Sequence, residues 1–284
     1  MRSVEQMMNM IIQVAEEDSG IRAVGMNGSR TNPNAPTDRF QDYDIVYFVT
    51  EMNAYTKKHD WLHVFGERLI MQTPEDMELY PPELEGRYSF LMLFTDGTRI
   101  DLMIAPTSEL EAYVHEDTLT VMLLDKDERI GTLPAPSERM YWVTPPTARS
   151  YGDCCNEFYW LSTYVAKGLW RDEILYAHDH LHKLRDVLMQ MLGWRIGHDY
   201  AYRVNVGKSG KYIQQYADEE EWTGLVETYA TGEKADVWRA LERSFALFSA
   251  LSDRVAKQNY YPRQTDEGER VEAYVRRGNR GFLR

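Results

Sequence analysis

The segment DYDIVYFV at positions 42–49 decides how the first half of the chain folds. It joins two aspartates to a run of β-branched and aromatic residues, a composition that favours a β-strand. Side chains two positions apart lie on the same face of a strand, so Asp42 and Asp44 project together. The segment therefore predicts a strand that presents a pair of carboxylates, which is a natural pair of ligands for a metal ion.

A third carboxylate lies on a predicted hairpin further along the chain. The strands 90–94 and 99–104 flank a turn that contains Asp96-Gly97, and Asp-Gly is a strong hairpin signal. Asp101 lies on the second strand between apolar neighbours, which indicates an inner strand where an ionised carboxylate needs a metal ion or another partner. Three carboxylates on adjacent strands are suited to Mg²⁺ bound to a triphosphate.

A Gly-Ser turn precedes the first aspartate pair. Gly28 and Ser29 follow a predicted strand at 21–26, and we expect them to form a turn before a helix. Backbone N–H groups at such a turn can approach phosphates closely.

Each feature also has an ordinary explanation. A D-x-D pair is often a solvated strand face, and Gly-Ser is a common turn. Asp101 has a further alternative, an ion pair with Arg99 or Arg87. The order of the features along the chain favours a single site.

The chain divides into two regions of different character. Helix 4–17 and a predicted helix and strand between 108 and 124 complete a mixed α/β first half. Prolines concentrate between 129 and 147, so we place the domain boundary between 135 and 136. In the second half, apolar residues at spacings of three and four predict a helical bundle that includes helices at 156–169, 174–191 and 238–255.

Composition limits the partners of the chain. Its 284 residues carry a net charge of -13, which argues against a nucleic-acid surface and favours a cationic partner, although an acidic surface also simply keeps a protein soluble. No apolar run approaches the ~20 residues of a membrane span, and the N-terminus lacks a signal sequence. The adjacent Cys154 and Cys155 suit a reducing cytoplasm and form no zinc motif. We therefore expect a cytoplasmic protein that binds neither nucleic acid nor membrane. We also expect a monomer, although the composition itself does not give the oligomeric state.

Five motifs resemble one known family in order and across nearly the whole chain: GMNGSR, DYDIVYFV, DGTRIDLMI, YVAKGLWRDE and GKSGKYI. The family is that of the streptomycin (aminoglycoside 6-) adenylyltransferases, within the nucleotidyltransferase superfamily of the DNA polymerase β type. The resemblance implies an α+β fold, with a nucleotidyltransferase domain that contains a mixed sheet at 1–135 and an all-α helical bundle for substrate and nucleotide binding at 136–284. It also implies ATP as the nucleotide donor, Mg²⁺ as the cofactor, and antibiotic resistance through O-adenylylation of streptomycin at the 6-hydroxyl.

The resemblance assigns roles to the first-half residues. It implies that Ser29 and Arg30 contact phosphates, that Asp42 and Asp44 bind metal, and that Asp101 lies beside the acceptor hydroxyl. We expect Asp101 to be both the catalytic base and a metal ligand. The first-half residues expected to bind the nucleotide are Gly28, Ser29, Arg30, Asp42 and Asp44.

The helical half contributes a second group of candidates. Six residues recur at spacings of three and four and share one predicted helix face: Asp153, Glu157, Trp160, Tyr164, Lys167 and Arg171. We interpret Asp153, Glu157 and Trp160, together with Asp101, as contacts to a drug that carries guanidinium groups. Lys167 and Arg171 are interpreted as contacts to the triphosphate, and a solvated face with ion pairs is the alternative.

Lys208 and Lys211 flank a glycine-rich turn and are the remaining candidates for nucleotide binding. The turn, GKSGKY at 207–212, is not a P-loop because the first glycine of that motif is absent. A plain surface loop is the alternative reading of this segment.

The sequence leaves two alternative functions open. The first is the same reaction on another acceptor, such as another aminoglycoside, a lincosamide or a protein. The second is a catalytically silent nucleotide-binding module on the same fold, and the presence of all three acidic residues argues against it.

Overall fold

Six strands of the N-terminal half form one sheet in the computed structural model, which describes residues 2–263 and 265–279. In chain order the strands are β1 (Ile21–Asn27), β2 (Tyr43–Val49), β3 (Arg68–Gln72), β4 (Tyr88–Phe94), β5 (Arg99–Pro106) and β6 (Val121–Asp125). Their order across the sheet is β3-β4-β5-β2-β1-β6. Only β2 and β5 run parallel, and the other neighbouring pairs are antiparallel. The predicted mixed sheet is confirmed.

The two faces of this sheet bury alternate residues of β2. The described part of this half contains three α-helices: α1 (Val4–Glu17), α2 (Met52–Thr56) and α3 (Leu110–Glu116). Ile45 lies in the buried cluster that includes Ile11 of α1. Phe48 lies in the cluster of the opposite face, where its ring meets that of Tyr113 of α3 at 5.2 Å between centroids. Asp44 is an even number of residues from Phe48, so its side chain projects from the α3 face.

The described part of the second half contains helices joined by loops and no strand. Its helices are α4 (Ala148–Trp170), α5 (Ile174–Asp199), α6 (Ile213–Tyr216), α7 (Glu219–Val226), α8 (Lys234–Asn259) and α9 (Thr265–Asn279). The three helices predicted from apolar spacing are confirmed within α4, α5 and α8. Their shared core includes Phe158, whose ring stacks on that of Phe248 with the centroids 3.7 Å apart.

The two halves are separate compact units that divide between Met140 and Tyr141. This division lies a few residues after the boundary expected from the prolines, and the binding roles assigned to the two domains remain predictions. No helix in the described part of the chain is long and apolar enough to cross a membrane.

The hydroxyl of Tyr47 ties β2 to α1 and can be removed without changing the packing volume much. It donates a hydrogen bond of 2.6 Å to the carbonyl oxygen of Ile11, and both residues are fully buried. Tyr47→Phe should lower the free energy of unfolding of the first unit by about 1 kcal/mol. Urea unfolding measures the change, with Tyr80→Phe as a control because Tyr80 is 64% exposed. An unchanged midpoint for Tyr47→Phe would contradict the assignment.

Candidate active site

The parallel ladder between β2 and β5 brings two of the predicted carboxylates together. Asp44 on β2 and Asp101 on β5 are direct partners in the register of this ladder. β5 lies between β4 and β2, so Asp101 is on an inner strand as expected. Asp42 lies two residues before Asp44, just outside β2. The prediction of adjacent strands is thus confirmed for Asp44 and Asp101, whereas Asp42 lies in the loop before β2. The catalytic and metal-binding roles of all three remain predictions.

The Gly-Ser turn packs directly against the carboxylate of Asp44. Asn27, the last residue of β1, is the partner of Asp44 on the other side of β2. Gly28 follows with a φ of +78°, a conformation that side chains rarely adopt. A Cβ added to Gly28 would lie 1.9 Å from Oδ2 of Asp44, so only glycine fits here. Gly28 and Ser29 are therefore beside the carboxylates, as the sequence order predicts.

The turn does not open the α-helix that the sequence analysis expects. Gly28–Arg30 forms a single turn of 3₁₀ helix and the chain continues as a loop to β2. Pro33 and Pro36 explain the difference, because a residue that precedes proline disfavours the helical conformation. This turn therefore offers no α-helix N-terminus to a phosphate.

Arg30 braces the loop that leads into β2. Its Nε donates to the carbonyl oxygen of Asp42 at 2.9 Å, and its Nη2 donates to that of Gln41 at 2.7 Å. The guanidinium carbon also lies 3.7 Å from the centroid of the Tyr43 ring. Gln41 closes the loop by donating from Nε2 to the carbonyl oxygen of Ser29 at 3.2 Å. The structure thus places Arg30 where it fixes the backbone of the first metal-ligand candidate.

Arg99 pairs with Asp101, which is one of the alternatives that the sequence left open. Its Nε and Nη2 each donate to one carboxylate oxygen of Asp101, both at 2.7 Å. Nε also lies 3.7 Å from Oδ2 of Asp42. The other alternative does not occur, because Arg87 pairs with Glu109 and Glu116.

The three carboxylates influence one another electrostatically. Burial, followed by the negative charges of Asp101 and Asp42, raises the pKa of Asp44 to about 6. Burial also raises the pKa of Asp42, while the charge of Arg99 opposes that rise. Asp44 is therefore the carboxylate for which a nearby cation would matter most, because positive charge favours the ionised form.

This donor set fits a divalent cation in its chemistry. Mg²⁺ prefers carboxylate and phosphate oxygens, and the raised pKa of Asp44 marks a position where a positive charge would be stabilising. Within residues 2–263 and 265–279, however, no three His, Cys, Asp or Glu side chains are arranged to hold one ion. Both oxygens of Asp101 accept hydrogen bonds from Arg99.

The predicted face of the helical unit is formed largely by exposed side chains of α4. Asp153, Glu157 and Trp160 are exposed, and the indole Nε1 of Trp160 donates to the hydroxyl of Tyr164 at 2.9 Å. Lys167 is half-buried, with Nζ 5.3 Å from the centroid of the Tyr164 ring.

Tyr176 of α5 lies beside Lys167 as Tyr164 does, and no sequence pattern predicted this contact. The Nζ of Lys167 lies 5.7 Å from the centroid of its ring. Arg171 is exposed and follows the last residue of α4. Lys208 and Lys211 lie in and beside one 3₁₀ turn, where the Nζ of Lys211 lies 5.0 Å from the centroid of the Tyr212 ring.

A cavity of about 630 Å³ in the helical unit contains none of the predicted residues. It lies between α7 and α8 and is lined mainly by acidic and small apolar side chains. Several of its acidic residues are already paired, because Arg254 contacts Glu221 and Arg243 contacts Glu227. These ion pairs join α7 and the residue after it to α8 and neutralise part of the acidic charge of the cavity.

Comparison with known proteins decides the family. A family model described as streptomycin adenylyltransferase matches residues 1–278. The chain belongs to this family. It is 43% identical over 277 residues to the aminoglycoside 6-adenylyltransferase of Bacillus subtilis (strain 168), with 97% of each chain covered. It is 42% identical over 283 residues to that of Campylobacter jejuni, with 99% of this chain and 98% of the relative covered.

A relative from Staphylococcus aureus, also an aminoglycoside 6-adenylyltransferase, is 36% identical over 97% of this chain and 98% of its own. A solved structure of an aminoglycoside 6-adenyltransferase from Bacillus subtilis matches with 39% identity, 97% coverage of this chain, 98% of that chain and a TM-score of 0.48. The family predicted from the motifs and the predicted enzyme class, a nucleotidyltransferase, are confirmed. An adenylyltransferase uses a nucleotide as co-substrate.

The close approach of Gly28 to Asp44 gives a direct test of the site. Gly28→Ala should reduce turnover by about 10²-fold or more, because the new Cβ must displace the Asp44 carboxylate and misplacing a catalytic group by ~1 Å can have that effect. Gly86→Ala is the matched control, since Gly86 has a similar φ of +82° and the nearest atom to its Cβ is 3.8 Å away. Steady-state rates of both variants, with their unfolding midpoints, separate site damage from backbone strain. Equal losses of rate would contradict the assignment.

The raised pKa of Asp44 predicts how stability depends on pH. A carboxyl whose pKa is higher in the folded state than its unfolded value of ~3.9 stabilises the fold below that value, and this contribution is lost as pH rises through the folded pKa, here about 6. Asp44→Asn should therefore be more stable than the wild type by on the order of 1–3 kcal/mol at pH 8, and by much less at pH 4.

Chemical unfolding in EDTA at the two pH values measures this difference. The exposed Asp38→Asn serves as the control of equal charge change. A stability gain for Asp44→Asn that is the same at pH 4 and pH 8 would show that Asp44 does not titrate as described.

Proposed function

We propose that this enzyme transfers AMP from ATP to the 6-hydroxyl of streptomycin, and so confers resistance to that antibiotic in the cytoplasm. Family membership supports adenylyl transfer, and three relatives named as aminoglycoside 6-adenylyltransferases, at 36–43% identity, support an aminoglycoside acceptor. The observation that carries the residue assignment is the register of β2 and β5, which sets Asp44 opposite Asp101 beside Gly28.

The reaction is an in-line displacement at the α-phosphorus. The acceptor hydroxyl oxygen forms a bond to phosphorus, the bond to the β-phosphate oxygen breaks, and pyrophosphate leaves. Mg²⁺, held by Asp42, Asp44 and Asp101, would supply positive charge that stabilises the phosphate oxygens. Gly28 and Ser29 offer backbone N–H groups beside these carboxylates, and a glycine there lets a phosphate approach closely.

Asp101 is the proposed base that accepts the proton of the acceptor hydroxyl. Its carboxylate projects from an inner strand and is partly exposed, so a substrate hydroxyl can reach it. A base within hydrogen-bonding distance contributes typically ~10²–10⁴-fold to the rate.

Arg30 takes a supporting part in this proposal. Its bonds to the carbonyl oxygens of Gln41 and Asp42 fix the chain where the first carboxylate projects. We retain direct phosphate contact as its second proposed role, since a guanidinium binds phosphate oxygens well.

The helical unit supplies the proposed contacts to the rest of both substrates. Lys167, Arg171, Lys208 and Lys211 are candidates for the phosphates. None of these four takes part in a described ion pair with an acidic residue, so each is able to pair with an anion. Asp153, Glu157 and Trp160 are the candidates for the drug, because carboxylates and an aromatic face both attract guanidinium groups.

The acidic character of the chain supports a cationic acceptor. A net charge of -13 attracts a polycationic drug over a distance of ~10 Å at 0.1 M ionic strength. We propose that the enzyme acts as a monomer with Mg²⁺, ATP and the aminoglycoside as its only partners.

One assay tests the acceptor and the chemistry together. Pyrophosphate release from ATP and Mg²⁺ should depend on streptomycin across a panel of aminoglycosides, a lincosamide and no acceptor. Mass spectrometry and NMR of the product should show a single AMP group on the 6-hydroxyl. Release that depends on another acceptor keeps the enzyme class and replaces the substrate, whereas no release with any acceptor contradicts the proposal.

Asp101→Asn tests the base. The amide keeps the size of the side chain but accepts a proton poorly, so kcat should fall by about 10²-fold or more. The dissociation constants of ATP and streptomycin should stay within roughly tenfold of wild type. Single-turnover AMP transfer and equilibrium binding measure the two effects. If affinity for the drug falls while kcat persists, Asp101 binds the drug and the base lies elsewhere.

A further inference from the structure

Arg99 is the cation in direct contact with the carboxylate cluster. Its guanidinium forms a two-pronged pair with Asp101, at 2.7 Å for both bonds, and approaches Asp42 to 3.7 Å. Its charge also acts on Asp44. Arg30 adds a weaker field at Asp42 and Asp44, but its own N–H groups are bound to backbone carbonyl oxygens.

We propose that Arg99 is a positioning residue that keeps free divalent ions out of the carboxylate cluster and gives up Asp101 when the ion arrives with a nucleotide. This inference rests on the proposed function, because it takes Asp42, Asp44 and Asp101 as the metal site. An ion that binds Asp101 must displace the guanidinium, which uses both carboxylate oxygens. A free ion offers Arg99 no new partner in exchange, whereas the phosphates of a nucleotide do.

The position of Arg99 on β5 suits this role. Arg99 and Asp101 are two residues apart on one strand, so their side chains share a face and pair without help from another element. The side chain of Arg99 is 43% exposed, which keeps the pair weak enough for a ligand to break. Arginine also stays charged at any physiological pH and binds carboxylate and phosphate with the same planar fork.

The pairing accounts for the absence of a ready-made metal site in the described residues. An ion held by Asp42 and Asp44 would lack its third carboxylate as long as Asp101 remains paired with Arg99. Metal binding and nucleotide binding are therefore coupled, and by linkage each ligand raises the affinity of the other by the same factor.

Binding of Mn²⁺ to the nucleotide-free protein tests the proposal without any turnover. Electron paramagnetic resonance counts the unbound ion at pH 8. The wild type should bind Mn²⁺ weakly, and Arg99→Gln should bind it at least about tenfold more tightly, because a positive charge next to the ligands is removed. Arg22→Gln is the matched control: Arg22 makes a similar two-pronged pair with Asp127, and it should leave the affinity unchanged.

The same titration with a non-hydrolysable ATP analogue measures the coupling. The analogue should tighten Mn²⁺ binding to the wild type by a larger factor than it does for Arg99→Gln. Arg99→Lys, which keeps the charge and loses the fork, should lie between the two. It also serves as the test variant if Arg99→Gln does not fold.

Asp44→Asn separates this inference from the proposed function. If Mn²⁺ with the analogue binds Asp44→Asn as well as it binds the wild type, the carboxylates are not the metal site and the proposed function fails. If Asp44→Asn loses the ion while Arg99→Gln binds free Mn²⁺ no more tightly than the wild type, the metal site stands and the role of Arg99 is overturned.

Discussion

The parallel pairing of β2 with β5 is the constraint on which the rest of the site depends. It is the one parallel ladder of the described sheet, and its register sets two aspartates directly opposite each other. Like charges opposite one another destabilise a sheet, so the arrangement requires compensation. Arg99, which lies on β5 beside Asp101, provides this compensation. The partial exposure of both side chains to water weakens the remaining repulsion between the aspartates. Two neighbouring features follow from this register: Gly28 packs against the carboxylate of Asp44, and Arg99 pairs with that of Asp101.

Alternation along β2 explains how the site is held rigidly. Ile45 and Tyr47 are buried on the α1 face of the sheet, and this packing fixes the position of β2. Asp44 then projects from the other face with little freedom, against a turn that has room only for Gly28. The loop before the strand is held by Arg30, so Asp42 is positioned by backbone contacts rather than by packing. Two different devices thus orient two neighbouring carboxylates.

Local signals in the sequence predicted the carboxylates, and side-chain pairing limited the rest. The two-residue period of a strand and the Asp-Gly hairpin placed Asp44 and Asp101 each on a strand, whereas the expectation that these strands are neighbours rested on the order of the features along the chain. β3 escaped prediction because its residues are mostly exposed and show no alternation. Arg87 does not reach Asp101 because Leu91 is the residue of β4 that lies opposite Asp101, whereas Arg87 precedes Tyr88, which lies opposite Ile104. Arg87 pairs instead with Glu109 and Glu116. The contact with Glu116 joins residues that are 29 positions apart, and no local pattern encodes it.

The parallel register also has a consequence for the order in which the protein is made. β2 leaves the ribosome long before β5, and the hairpin that carries β5 must form and dock before the two aspartates meet. Closing so long a loop is entropically slow, whereas β1 and β2 need only a short one. A nascent or truncated chain that ends before β5 therefore holds the Gly-Ser turn and the first aspartates but has no opposing carboxylate. Such a fragment lacks the facing aspartates, so the cluster of carboxylates forms in one late step of folding.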